Sequence, residues 1–233
     1  MARKVYLAMP SMTGKPDVES FHCLIDTVRE LERAGHDVHV KFVIRDGMLP
    51  RMRNQYLMHF LHSGADDLIF IDDDMAWEVG AVERLLSHQV DLVGGVYPKR
   101  QDKLVYPCKR VPGAELDMAT GLIEMRFLPT GFLRITRACA LRMVEAFQDR
   151  VYHEPDAPGG KAYALFWFDL MPGDDGGGMN EIWGEDFAFC RRWREIGGQV
   201  WCDAYLTFKH IGRKAWVGCY ADDAGLVKLE AAE

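Results

Sequence analysis

The stretch ADDLIFIDDDMAW, residues 65–77, sets an apolar run directly against three carboxylates. The run LIFI has the length and composition of a buried β-strand, and it ends at Asp72, Asp73 and Asp74. Adjacent carboxylates repel one another, so the pattern predicts a source of positive charge beside them. In an extended chain, residues i and i+2 point to the same side, which would direct Asp72 and Asp74 toward one cation.

The position of the triplet also favours a ligand. Open α/β sheets bind their ligands outside the carboxyl ends of the strands, and the three aspartates follow such an end. Carboxylate pairs suit Mg²⁺ or Mn²⁺, which commonly combine one or two carboxylates with substrate phosphates. The simpler alternative is that the aspartates cap the next helix or lie in a solvated turn. Three acids after a buried strand favour the metal site.

Strand and helix patterns alternate on either side of this stretch. Strands are predicted at 4–9, 36–44, 68–71 and 90–95, and helices at 17–34, 51–62 and 79–88. Such alternation is typical of an α/β fold whose mainly parallel central sheet is covered on both faces.

The pattern changes after Gly95. We predict β segments at 103–111 and 121–128 that suit a small antiparallel part, strands at 131–137 and 199–208, and helices at 138–148 and 185–196. The segment 149–182 is predicted to be a long irregular loop, anchored by ALFWF and free to act as a lid. One domain is expected over residues 1–220, followed by a tail at 221–233.

Composition excludes several classes of protein. The chain has 233 residues, of which 48% are hydrophobic and 27% charged, as in an ordinary globular protein. No apolar run approaches the ~20 residues that span a bilayer, and a cytoplasmic location is expected by default. The net charge of −7 gives no overall attraction to nucleic acid. Six scattered cysteines without a C-x-x-C pair argue against a zinc ribbon or a disulfide framework.

Two other acidic or phosphate-binding motifs fit poorly. A P-loop requires G-x-x-x-x-G-K-[ST], but MPSMTGKP has Met9 at the first glycine and Pro16 after the lysine. An aspartyl phosphatase would usually carry its D-x-D pair on the first strand, with Thr or Val two residues further on, where this chain has Ala76.

The second half of the chain adds further candidates. Glu185 and Asp186 lie in the first turn of a predicted helix, where acids also favour the helix dipole. The glycine-rich segment before them suggests an open site. His210 follows the last predicted strand and, with Asp72 and Asp74, would complete a three-ligand metal site.

The motifs FIDDDM, GGVYPKR, TGFLRITR, GEDFAFCRRWREIGG and KHIG occur in this order, and together the chain resembles a GT-A-type glycosyltransferase. The resemblance covers about residues 3–215 and is strongest to the compact forms found in phages and bacteria. It implies a Rossmann-like, nucleotide-sugar-binding fold and a Mn²⁺ or Mg²⁺ cofactor.

The resemblance also implies roles for individual residues. Asp72 and Asp74 match the D-x-D element, and His210 matches the histidine that completes the metal site. Asp186 matches the carboxylate that faces the acceptor and acts as the catalytic base in inverting members, with Glu185 as the alternative. The remaining candidates for contact with the nucleotide sugar are Arg53, Asn54, Asp73, Lys99, Arg100, Thr130, Gly131 and Trp183.

Several questions stay open at this stage. The expected donor is a UDP-sugar, and the acceptor is a glycan, a protein, a small molecule or a hydroxymethylated base in phage DNA. Inversion and retention both occur on this fold. A nucleotidyltransferase and a non-catalytic nucleotide- or sugar-binding protein are the two alternative functions.

Overall fold

The structure, a computed structural model, describes residues 2–44, 47–172, 180–212 and 214–226. The strands are β1 (Lys4–Ser11), β2 (Asp37–Ile44), β3 (Asp67–Ile71), β4 (Met75–Trp77), β5 (Leu92–Gly94), β6 (Lys109–Arg110), β7 (Leu122–Phe127), β8 (Phe132–Thr136), β9 (Val151–His153), β10 (Lys161–Tyr163), β11 (Asp169–Pro172), β12 (Asn180–Trp183), β13 (Val200–Asp203), β14 (Thr207–Ile211) and β15 (Ala215–Cys219). The helices are α1 (Val18–Arg33), α2 (Leu49–Ser63), α3 (Ala81–Ser87), α4 (Arg137–Ala146), α5 (Glu185–Glu195) and α6 (Tyr220–Asp223). Among them, none combines the length and the apolar character needed to cross a bilayer.

The central sheet has eight strands in the order β2-β1-β3-β8-β5-β13-β7-β6. Strand β1 pairs in parallel with β2 and β3, and β5 pairs in parallel with β13. Strands β8 and β7 run antiparallel to both of their neighbours. Six of the eight strands therefore point the same way, which confirms the predicted α/β fold with a mainly parallel sheet.

Two hydrophobic layers cover the sheet, and β3 contributes to both. Leu68 and Phe70 pack on the side of α2, α4 and α5, whereas Ile69 and Ile71 pack on the side of α1 and α3. Successive side chains of a strand point to opposite faces, so a strand that is buried on both faces needs an unbroken apolar run. This requirement explains LIFI and places the acidic triplet at the carboxyl edge of the sheet.

Three sequence predictions for the part of the chain after Gly95 are wrong. The segment 149–182 is not an irregular loop, because β9 pairs with β10 and β11 pairs with β12. The anchor ALFWF is confirmed only in part, since Leu165 and Phe166 are fully buried but Trp167 and Phe168 are exposed. The glycines at 176–178, which were expected to hinge a lid, lie outside the described residues. The segment 103–111 contains only the two-residue strand β6.

The predicted strand at 199–208 is two strands in different sheets. Strand β13 belongs to the central sheet, and β14 lies between β15 and β4 in a separate three-stranded sheet. Strand β4 directly follows the acidic triplet, and its Met75 lies opposite His210 on β14. This pairing, which sequence patterns did not indicate, brings the end of the chain to the carboxyl edge.

The predicted domain boundary at residue 220 lies at the start of α6. Tyr220 and Ala221 are buried against the main core. The division into a domain and a tail stays a prediction, and residues 227–233 lie outside the described part of the chain.

Candidate active site

Asp72 occupies the first position of a turn between β3 and β4, so the triplet is not an extended strand. Its backbone N–H donates to the Gly131 carbonyl at 2.9 Å, which joins the end of β3 to the start of β8. Its carboxylate Oδ1 accepts a hydrogen bond from Arg53 Nη2 at 3.2 Å. The first charge of the triplet is thus paired with a guanidinium.

Asp73, the middle residue of the triplet, is hydrogen-bonded to Ser11 of β1. Burial raises the pKa of the Asp73 carboxyl, a hydrogen bond from the Ser11 hydroxyl opposes this shift, and the Asp72 charge adds to it. The Asp73 carbonyl also accepts the Asp17 backbone N–H at 2.8 Å, at the start of α1. Contact between Asp73 and a nucleotide stays a prediction.

Asp74 is shared between an arginine and a histidine. One carboxylate oxygen forms an ion pair with Arg100, and Oδ1 lies 3.7 Å from His210 Nε2. His210 Nδ1 lies 2.8 Å from the Pro98 carbonyl, which can only accept a hydrogen bond. The proton of the neutral imidazole is therefore on Nδ1, and Nε2 presents a lone pair toward Asp74. Burial lowers the pKa of His210, which favours this neutral form.

Arg53 joins the two acidic motifs. Its side chain leaves the second turn of α2, is 2% exposed, and lies over the Phe70 ring at 5.9 Å. Nη2 contacts Asp72 and Nη1 lies 3.6 Å from Glu185 Oε1. Burial lowers the pKa of Arg53, but the Asp72, Glu185 and Asp186 carboxylates raise it by more. Among the described residues, Nε and Nη1 find no hydrogen-bond partner.

Glu185 and Asp186 begin α5 immediately after Gly184, as predicted. Helical spacing predicts an inner face of Phe189, Trp193 and Ile196; Phe189 and Trp193 are fully buried, and Ile196 lies just after the helix and is partly buried. Burial and the neighbouring Glu185 charge raise the pKa of Asp186 to about 6, while Arg53 opposes the shift. A carboxylate with that pKa is in the range suited to general-base catalysis near neutral pH.

Thr130 and Gly131 lie just before β8, and the Gly131 carbonyl is bonded to the Asp72 N–H. The Thr130 hydroxyl is buried and has no hydrogen-bond partner in the described part of the chain. A Cβ atom on Gly131 would lie 2.3 Å from Tyr97 Oη and 2.6 Å from Asp72 Oδ2, so only glycine fits. Tyr97 was not among the predicted site residues. Its signal in the sequence is an aromatic residue directly after a buried strand, in GGVYPKR.

Three other predicted residues lie at the periphery. Asn54 is fully buried, and its amide donates to the Phe166 carbonyl at 3.0 Å and accepts its N–H at 2.9 Å. We therefore expect Asn54 to position its neighbours instead of touching a nucleotide. Lys99 is exposed. The Trp183 ring packs against Phe127 with centroids 5.1 Å apart.

The predicted three-ligand metal site of Asp72, Asp74 and His210 is not formed among the described residues. Within the described residues, no three His, Cys, Asp or Glu side chains are grouped closely enough to hold an ion. The donors still suit Mn²⁺ or Mg²⁺, because Asp74 offers a carboxylate and His210 offers the Nε2 lone pair. Binding would require Arg100 to leave Asp74.

A cavity of about 470 Å³ lies at the opposite, amino edge of the sheet. Arg3 and Arg134 line it, and both are paired with the buried Asp67, at 2.8 and 2.7 Å. Its charged groups are thus bonded within the protein, in contrast to Arg53.

No protein-family model matches the chain, and no curated protein matches it in sequence. Among solved structures, A197 from STIV is similar over 99% of this chain and 100% of its own, with a TM-score of 0.56 and 16% identity. The chain described here has a GT-A-type α/β fold. The catalytic domain of Drosophila beta1,4galactosyltransferase 7, in complex with xylobiose, is similar over 96% of this chain and 79% of its own, with a TM-score of 0.49 and 16% identity. At 16% identity the likeness to A197 shows the fold alone.

Proposed function

We propose that this chain is a glycosyltransferase that moves a sugar from a nucleotide-diphosphate sugar, with a UDP-sugar as the expected donor, to an acceptor hydroxyl. The observation that carries the proposal is the buried Arg53 guanidinium. It lies between Asp72 and Glu185 and keeps two nitrogens without hydrogen-bond partners in the described structure. Buried donors of this kind are costly unless a ligand satisfies them.

A second buried polar group without a hydrogen-bond partner among the described residues, the Thr130 hydroxyl, supports the same ligand. Thr130 Oγ1 is buried, and Thr130 precedes Gly131, where any Cβ atom would clash with Tyr97 Oη and Asp72 Oδ2. Oxygen atoms of a sugar ring match both the Arg53 N–H groups and the Thr130 hydroxyl. Three acids near Arg53 disfavour a carboxylate there, so the pocket suits a neutral sugar.

Departure of the nucleoside diphosphate requires positive charge. A divalent cation held by Asp72, Asp74 and His210 would act as a Lewis acid toward the diphosphate. Arg100, once released from Asp74, would be free to bind the phosphate oxygens, and Lys99 next to it adds a second cation. In this arrangement Arg100 neutralises the Asp74 carboxylate when no donor is bound. When the donor is bound, Arg100 neutralises the nucleoside diphosphate that leaves.

Asp186 is the better candidate for the base that takes the acceptor proton. Glu185 Oε1 lies 3.6 Å from Arg53 Nη1, so this carboxylate already has an ion-pair partner within the protein. Asp186, with its pKa raised to about 6, is ionised at pH 7 and is the stronger base. The acceptor, whether glycan, protein or modified DNA base, would approach past Trp167 and Phe168, which are 37% and 47% exposed near the start of α5.

Nucleotide binding and turnover test the proposal separately. Calorimetry with UDP, GDP and their sugar conjugates, with and without Mn²⁺, should show binding that Arg53→Gln weakens at least about tenfold, as expected for losing a charged hydrogen bond. Arg110→Gln, a change at an exposed arginine, is the control. If the wild-type chain binds none of these nucleotides, the proposal is wrong.

The second variant tests the base. Asp186→Asn should leave nucleotide affinity unchanged and lower release of nucleoside diphosphate by about 10²–10⁴-fold. For the wild type, kcat/KM should fall as the pH drops below about 6, because the base becomes protonated. Full turnover by Asp186→Asn would rule out this role.

A further inference from the structure

We propose that Tyr97 is a positioning residue for the transfer reaction, which fixes the Asp72 carboxylate through Gly131 and, together with the Pro98 carbonyl, fixes the His210 imidazole. The inference rests on the proposed function and adds to it a residue outside both acidic motifs. Tyr97 follows β5 at the carboxyl edge and is 7% exposed.

The hydroxyl of Tyr97 acts on Asp72 through the backbone. Tyr97 Oη accepts the Gly131 N–H at 3.2 Å, and the Gly131 carbonyl accepts the Asp72 N–H at 2.9 Å. Asp72 Oδ2 and Tyr97 Oη also flank the space where a Gly131 side chain would lie, at 2.6 and 2.3 Å from its Cβ position. The phenol thereby holds one side of Gly131, while the carbonyl on the other side of this residue accepts the N–H of Asp72.

The ring of Tyr97 acts on His210 directly. The two rings meet edge to face, with centroids 5.0 Å apart and planes at 75°. On its other side the phenol ring contacts Phe208, two residues earlier on β14, with centroids 6.4 Å apart. These contacts hold the imidazole in one orientation against the strand that carries it.

The residue after Tyr97 sets the imidazole proton. The Pro98 carbonyl accepts a hydrogen bond from His210 Nδ1 at 2.8 Å, so Nε2 is the nitrogen that faces Asp74. Carbonyl contacts of this kind fix the tautomer of a ligating histidine. One dipeptide after β5 thus determines the geometry of Asp72 and His210, which lie far apart in the sequence.

Two variants separate the hydroxyl from the ring. Tyr97→Phe keeps the ring, so the ¹⁵N shifts of His210 should still show the proton on Nδ1, while Mn²⁺ affinity in the presence of UDP and kcat should fall about 2–12-fold. Tyr97→Leu removes the ring contact as well, so His210 should show a mixture of tautomers and a larger loss of affinity. His210→Gln assigns the signal among the eight histidines.

Tyr56→Phe is the matched control. Tyr56 is fully buried, and its hydroxyl donates to the Met9 carbonyl at 2.7 Å and accepts the Val43 N–H. This variant should lose thermal stability but keep the wild-type tautomer, Mn²⁺ affinity and kcat, because its lost bonds lie outside the site.

The outcomes distinguish this inference from the proposed function. If the wild type binds nucleotide but both Tyr97 variants keep its tautomer, Mn²⁺ affinity and kcat, the positioning role is wrong. If Tyr56→Phe lowers affinity and kcat as much as Tyr97→Phe does, the effect is general destabilisation and the role is also wrong. If the wild type binds no nucleotide, the proposed function fails, while a changed His210 tautomer in Tyr97→Leu would still support the contact.

Discussion

The negative charge of Asp74 can be paired with Arg100 or with a bound cation, and the two compete for the same carboxylate. Arg100 forms an ion pair with it, whereas the proposed cation would need the same carboxylate together with His210 Nε2. The repulsion within the acidic triplet is therefore relieved by arginines in the absence of a cation, with Arg53 on Asp72 and Arg100 on Asp74.

This competition predicts the effect of removing Arg100. Arg100→Gln should raise the affinity for Mn²⁺ in the absence of nucleotide by about 2–5-fold, the amount expected from a partly exposed ion pair. It should also lower turnover, since the phosphate loses a cation. Electron paramagnetic resonance of free Mn²⁺ measures the affinity, and Lys103→Gln, at an exposed lysine nearby, is the control. Weaker Mn²⁺ binding by Arg100→Gln would contradict the competition.

Asp186 predicts a dependence of stability on pH. Its pKa is about 6 in the folded chain and about 3.9 in an unfolded one. Between pH 4 and pH 6 the Asp186 carboxyl is protonated in the folded chain but ionised in the unfolded one. The free energy of unfolding therefore falls as the pH rises from about 4 to about 6, because folding then requires the uptake of a proton.

Asp186→Asn should therefore stabilise the protein at pH 7.5 by up to about 3 kcal/mol, roughly 6–12 °C in Tm, and the advantage should disappear near pH 4. Thermal unfolding of the two proteins at both pH values measures the difference. An advantage that is equal at pH 4 and pH 7.5 would mean that the charge of Asp186 is not its cause.

At the scale of elements, the segment between β10 and β11 is held by the two helices that carry the site. Phe166 stacks on Phe189 of α5 with centroids 4.1 Å apart, and its backbone is bonded by Asn54 of α2. Arg192 of α5 also donates to the Leu165 carbonyl at 2.7 Å. The distance between Arg53 and Glu185 thus depends on the hydrogen bonds and the ring stacking that join α2 and α5 to this segment.

Asn54→Ala tests the two hydrogen bonds between Asn54 and the Phe166 backbone. It leaves a buried N–H and a buried carbonyl of Phe166 without partners, so the free energy of unfolding should fall by about 1–3 kcal/mol. Hydrogen exchange at the Phe166 amide should accelerate, and denaturant unfolding measures the global loss. Asn180→Ala, at an exposed position, is the control. Unchanged exchange at Phe166 would show that other contacts hold the segment.

At the scale of the whole molecule, the reactivity of the cysteines depends on how well the core is packed. All six are free thiols; Cys139, Cys190, Cys202 and Cys219 are buried, and Cys23 and Cys108 are partly exposed. Burial raises the pKa of Cys108 to about 11, which keeps it a thiol at pH 8.

Labelling of the native protein with a thiol reagent at pH 8 should therefore modify Cys23 first and Cys108 slowly, because the thiolate is the reactive form. The four buried cysteines should react only after unfolding in guanidinium, when the total reaches six. Cys23→Ser should abolish the fast phase. Rapid reaction of three or more native thiols would contradict the core described here.

The sequence by itself determined the alternation of strands and helices, the burial of LIFI on both faces, the inner face of α5 and the placement of the acidic triplet at the carboxyl edge. These features follow from hydrophobic periodicity and from local capping, which depend on residues close together in the chain. Where the periodicity was weak, as in the short strands between residues 149 and 183, the sequence did not reveal the pairing.

Only the tertiary structure decided which residues meet. The pairing of β4 with β14 brings His210 toward Asp74, the second turn of α2 places Arg53 between Asp72 and Glu185, and the turn after β5 brings Tyr97 beside Gly131. Each of these contacts joins segments from different strands or helices. They depend on how the sheets and layers pack together, because no local pattern specifies the partner of a side chain far away in the sequence.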